Sequence, residues 1–129
     1  MPVHPGAYDD FDPSLRFAGD WEQSEDFDSA YLHSISYTEA PGAAVSLAFE
    51  GRGVSYVFTR APNRGIAEIE IDGARRDALD LYSPRIEWQS RFDICCLAAG
   101  RHVISIRATG RKRPNASGAF IDVDALLVQ

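Results

Sequence analysis

A chain of 129 residues with 45% apolar content and a formal charge of −6 is sized for one domain and is too short for a catalytic domain plus an accessory one. The acidic balance argues against nucleic acid, whose phosphates demand a continuous basic footprint. No apolar run approaches the roughly 20 residues that cross a bilayer, so a membrane is not an expected partner either. The net charge hides an asymmetry: residues 1–50 hold ten carboxylates against Arg16 alone, and the remainder holds nine against twelve Arg or Lys.

The opening Met1-Pro2-Val3-His4-Pro5-Gly6 has neither the basic nor the apolar region of an export signal. If the parent protein is secreted, this chain is an internal or excised module. Residues 1–14, with Asp9, Asp10 and Asp12, read as an irregular lead-in. From there two-residue alternation recurs: Leu15 and Phe17; Val45, Leu47 and Phe49; Val54, Tyr56 and Phe58; Ala67, Ile69 and Ile71; Ile86, Trp88, Phe92 and Ile94; Ile104, Ile106 and Ala108. Residues 22–29 read as an acidic loop. Short Gly-containing connections separate the runs, and Asp72-Gly73 is the strongest turn signal, suited to a two-residue hairpin with positive φ.

About eight or nine strands, each buried on one face, must cover that face with a second sheet, which makes an all-β antiparallel jelly-roll β-sandwich the expected fold for residues 1–129 as a single module. Successive connections then fall at alternating ends. One end collects the loops at 38–43, 61–65, 83–85 and 109–118, and the other those at 22–29, 51–53, 72–73 and 98–100. The first end gathers Asn63, Arg64, Arg85, Arg111, Lys112, Arg113 and Asn115, so the late basic excess becomes a spatial patch on the longer, more polar loops.

Cys95 and Cys96 are adjacent, and on a strand their side chains point to opposite faces, so they are expected to be unpaired. Enzyme signatures are missing: no serine sits in a nucleophile elbow, His4, His33 and His102 are scattered, and Gly51-Arg52-Gly53 leads into a strand rather than a phosphate-binding helix. A noncatalytic role is the expectation.

Several segments together carry a family resemblance: Tyr8-Asp9-Asp10, Gly53-Val54, Pro62-Asn63-Arg64-Gly65, Ile71-Asp72-Gly73, Asp80-Leu81-Tyr82-Ser83, Leu97 to His102, Ala108-Thr109-Gly110 and Val123-Asp124-Ala125. Over nearly its whole length the chain resembles the galactose-binding-domain-like, carbohydrate-binding-module-like sandwiches that recur as accessory domains in bacterial secreted glycoside hydrolases, esterases and surface proteins. The resemblance implies a noncatalytic module that tethers a larger extracellular or cell-surface protein to glycan. The alternative is a structural or assembly jelly roll that contacts neighbouring domains or a second copy of itself, with the acidic early segment and the basic loop end as complementary faces.

For a sugar, the candidate ligand-binding residues are Asn63, Arg64, Tyr82, Arg85 and Asn115, which supply planar amide and guanidinium donors beside an aromatic ring. The basic patch points to an anionic sugar such as a uronate. The plainer reading of Pro62-Asn63-Arg64-Gly65 is a turn, with Arg64 paired to a strand carboxylate such as Glu68. Alternation puts Trp21 and Trp88 in the core, and leaves Tyr31 and Tyr37 as a second stacking platform. Asp9, Asp10 and Asp12 would meet Asp122 and Asp124 if the terminal strands pair, offering oxygen ligands to a structural calcium ion. Solvated or hydrogen-bonded aspartates are the simpler reading, and no cofactor is otherwise expected.

Overall fold

The computed structural model describes residues 2–24 and 35–129. Twelve strands and no helix occur among them: β1 (Gly6–Asp9), β2 (Arg16–Ala18), β3 (Glu22–Ser24), β4 (Ile35–Thr38), β5 (Ala44–Glu50), β6 (Val54–Arg60), β7 (Ile66–Ile71), β8 (Ala74–Asp80), β9 (Glu87–Ile94), β10 (Arg101–Ala108), β11 (Ile121–Val123) and β12 (Ala125–Val128). Five form an antiparallel sheet in the order β2-β5-β10-β7-β8, four form β1-β12-β6-β9, and three form β11-β4-β3. Only Asp124 separates β11 from β12, and its amide donates to Val57 O of β6 at 2.9 Å. The three- and four-stranded sheets therefore run on into one layer, which faces the five-stranded sheet across the core.

Alternation builds that core. Val45, Leu47 and Phe49 of β5, Ile104 and Ile106 of β10 and Ala67 and Ile69 of β7 meet Val54, Tyr56 and Phe58 of β6 and Leu126 of β12, all buried in one cluster. Each large apolar side chain so buried contributes about 1.5–3 kcal/mol. The β7–β8 hairpin turns on Asp72 and Gly73 with φ of 54° and 81°, which is why an Asp-Gly pair stands there.

The loops meet at two poles. At one, Gly42 N donates to Ala108 O (2.8 Å), Ser117 N to Pro62 O (2.9 Å), Ser83 N to Ala61 O (3.2 Å) and Ile66 N to Arg111 O (2.9 Å). Gly65 is required there: a Cβ would stand 2.6 Å from Arg111 O and 2.8 Å from Ala119 Cα. At the other pole Gly51 N donates to Gly100 O at 3.1 Å, and His102 reaches Asp72.

Several expectations need correction. Twelve strands are described rather than eight or nine, partly because short edge strands carry too few residues to show a period. Gly6–Asp9, expected in the irregular lead-in, is β1 and pairs with β12 in register Tyr8↔Leu126. Glu22–Ser24, expected in an acidic loop, is β3 and pairs with β4; the rest of that loop, and Tyr31, lie outside the described residues. Cys95 and Cys96 are disulfide-bonded to each other rather than unpaired. The alternation argument assumed an extended strand, but β9 ends at Ile94 and Cys96 has φ of 68°, so the two side chains need not diverge.

Candidate functional site

The β6–β9 pairing contains the irregularity that makes the site. Phe58 pairs with Ser90 and Arg60 with Glu87, so two steps along β6 match three along β9, with Gln89 at φ of 51°. This bulge shifts Trp88 out of phase with Phe92 and Ile94 and onto the side of Thr59, facing away from the core. Trp88, expected in the core, instead borders a concavity of about 320 Å³. Trp21 is half-buried against the core, edge-on to Phe17 at 5.1 Å.

Ile35 and Tyr37 of β4, Ile86 before β9, Trp88 and Phe120 form apolar walls, while Thr59, Ala61, Asn63 and Arg64 line the rest. Tyr37 and Phe120 meet edge-to-face at 6.0 Å. The same two residues also line a second concavity of about 530 Å³, bordered by Asp20, Trp21, Glu22 and Glu39. Ile86 is 59% exposed.

Beneath the site runs a buried polar network. Arg64 Nε donates to Asp122 Oδ1 at 3.1 Å and to Thr59 O at 3.3 Å, and Nη1 donates to Asn63 Oδ1 at 2.6 Å. Thr59 N donates to both Asp122 oxygens at 2.9 and 3.1 Å, and Tyr56 donates its hydroxyl to Asp122 O. Burial raises the Asp122 carboxyl to about 6, against the opposing pull of the Arg64 charge and hydrogen bond. Arg64 therefore does pair with a strand carboxylate, but with Asp122 of β11 rather than Glu68. Thr59 Oγ1 is buried and, among the described residues, is the sole buried side-chain polar atom without a hydrogen-bond partner.

Among the sequence candidates, Asn63 and Arg64 line this concavity, while Tyr82, Arg85 and Asn115 stand outside its lining at the same pole. The Tyr82 ring lies under Arg113, whose guanidinium carbon is 4.7 Å from the ring centroid and whose Nε donates to Asp80 Oδ2 at 2.9 Å. Arg85 is exposed, and its amide donates to Ser83 Oγ at 3.3 Å. Asn115 is exposed on the 109–118 loop. Thr59, Trp88, Ile86 and Phe120 were missed as site residues; an apolar residue between Pro84-Arg85 and a strand was the available signal for Ile86.

The termini converge as expected, with Asp10 N donating to Asp124 O at 3.0 Å. Asp10, Asp122 and Asp124 are fully buried, but Asp122 is engaged by Arg64, and no cluster of three or more metal-ligating His, Cys, Asp or Glu occurs among the described residues.

No family model matches the sequence. A relative from Flavonifractor plautii, described as an A type blood N-acetyl-alpha-D-galactosamine deacetylase, is 35% identical over 109 residues, covering 81% of this chain but only 14% of its own length. A family 35 carbohydrate binding module from Clostridium thermocellum superposes with a TM-score of 0.65 at 14% identity, over 95% of this chain and 96% of the module. This chain has that fold. A Paenibacillus xanthan lyase contains it too, with a TM-score of 0.74 at 17% identity over 99% of this chain and 13% of the lyase. The same sandwich thus makes up nearly all of the solved module and a small part of the lyase.

Proposed function

We propose that the chain is a noncatalytic carbohydrate-binding module that holds a larger extracellular or cell-surface protein on its glycan, with the concavity beside Trp88 and Asn63 as the sugar site. The observation that carries this reading is the meeting of aromatic side chains with amide and guanidinium donors in one concavity. A sugar ring offers C–H faces to aromatic rings and hydroxyls to planar donors. The second concavity, which shares Tyr37 and Phe120, leaves room for a further residue of a longer glycan. Tyr82, Arg85 and Asn115 then form an outer rim touched only by an extended chain.

The carbohydrate-related names of the matching proteins, and the small share of the deacetylase that this chain spans, support an accessory role within a larger carbohydrate-active protein. The noncatalytic reading is supported by the position of His102, whose carboxylate partner Asp72 lies at the pole away from the concavity. Stacking on one ring with a few hydroxyl hydrogen bonds gives affinities on the order of micromolar to millimolar.

A glycan array followed by calorimetric titration tests the reading. The expected result is saturable binding that Trp88→Ala weakens by about tenfold or more, the usual cost of truncating an aromatic anchor. Background signal on every neutral and acidic glycan would contradict it.

A further inference from the structure

The floor of the concavity offers donors and few acceptors. The Asp122 carboxylate is taken by Thr59 N and Arg64 Nε, and the Asn63 side-chain oxygen by Arg64 Nη1. With Oδ1 held on Arg64, Asn63 has its Nδ2 donor left for a ligand. Thr59, 1% exposed and within the lining, carries the unpartnered buried hydroxyl. A buried hydroxyl without a partner is unfavourable, so a ligand atom that supplies one recovers what the free protein forgoes. Around these donors the walls are apolar, with Trp88 and the exposed Ile86 on one side.

We propose that this concavity seats the acetyl group of an acetylated sugar, the carbonyl oxygen toward Thr59 and Asn63 and the methyl against Trp88 and Ile86; the inference rests on the glycan-binding reading above. An acetyl group is an acceptor without a donor at one end and an apolar methyl at the other, which matches the floor and the walls together. A ring hydroxyl can also accept from Thr59 and Asn63, but it brings no methyl to cover the apolar walls. A uronate brings a charge into an apolar-walled site where Arg64 is neutralised by Asp122 and the adjoining concavity holds Asp20, Glu22 and Glu39. Desolvating that charge without a free cation is costly. The group can be N-linked or O-linked; both present the same carbonyl and methyl.

The test is titration of the whole chain with the methyl glycosides of galactose, N-acetylgalactosamine, 2-O-acetylgalactose and galacturonic acid, using wild type, Thr59→Val and Ile86→Ser, with a thermal melt of each variant. At least one acetylated sugar is expected to bind about tenfold more tightly than galactose, since a site built for a polar group discriminates against a ligand lacking it. The two acetylated arms distinguish the amide from the ester. Thr59→Val is expected to erase the preference while the melting temperature holds or rises, because an isosteric methyl replaces an unpaired hydroxyl. Ile86→Ser, on an exposed position, is expected to weaken the preference without affecting folding. Equal affinities for galactose and both acetylated sugars, tightest binding of galacturonate, or a preference that survives Thr59→Val would overturn the acetyl assignment while leaving glycan binding intact. Silence toward all four sugars, with an empty array, would overturn both.

Discussion

The ion pair beside the concavity is hidden, with the Arg64 and Asp122 side chains 9% and 0% exposed, whereas at the opposite pole Asp72 and His102 stay nearer to water, at 48% and 12%. A buried pair must offset the desolvation of both ions and holds only if its remaining hydrogen-bonding capacity is filled. Here Thr59 N, Thr59 O and Asn63 Oδ1 take up part of it. The outcome is an oriented Asn63 amide beside the concavity. At the other pole, Asp72 accepts from Val103 N at 2.8 Å and meets His102 Nδ1 at 2.6 Å, while His102 Nε2 faces Ala98 O at 2.6 Å. Both ring nitrogens face acceptors, so both must donate, and the imidazolium is the species that satisfies them. That pair ties short hairpins together and borders neither of the two concavities. The comparison teaches that charge is used at one end to orient a recognition group and at the other to fasten turns.

The largest break comes from Arg64→Met. It strands the Asp122 carboxylate in the interior and is expected to cost about 3–5 kcal/mol at neutral pH by chemical denaturation. Part of this loss should return on acidification, because the stranded carboxyl takes a proton. In the wild type, Asp122 already titrates near 6 against an ordinary 3.8, so the folded protein holds that proton more tightly than the unfolded chain. Its contribution to stability therefore falls as pH climbs through that interval and is level above it. Asp122→Asn should flatten this slope; a denaturation series from acid to neutral pH that leaves the slope intact would assign it to another group.

A smaller effect belongs to the opposite pole. The Ala98 carbonyl and the Asp72 carboxylate raise the His102 imidazole above its ordinary 6.5. Its stabilisation is thus complete below 6.5 and is lost as pH rises through the higher folded value. The stability difference between wild type and His102→Gln should be greatest in mild acid and shrink toward alkaline pH, with glycan affinity unchanged. A difference that grows with pH would reverse the assignment. Smallest of all is the exposed Cys95–Cys96 bridge, which joins neighbours and closes no loop of any length. The double change to serine should shift stability by less than about 1 kcal/mol, within the usual range for surface positions.

The strands with one buried face were legible because period two is their physical signature: β5 reads half-buried and buried in strict turn along Ala44–Glu50. Antiparallel reversal likewise foretold that Asn63 and the 109–118 loop share a pole. The run from Ile121 to Val128 resists such reading, since residues 121–126 are all buried and no alternation marks them. The site was only half legible. Asn63 and Arg64 stood out as polar residues in a turn, but the partner of Arg64 lies 58 residues later, a contact that only the folded chain creates. Trp88 was misread because a bulge adds one residue to β9, and a single extra residue reverses every face assignment before it.

The most direct test of the account is a nitrogen–proton NMR titration with the glycan selected on the array, following the Trp88 indole, the Asn63 side-chain amide and the His102 backbone together. Saturable shifts at Trp88 and Asn63 with His102 still are predicted. Shifts that gather around His102 and Asp72, leaving Trp88 and Asn63 unmoved, would contradict it.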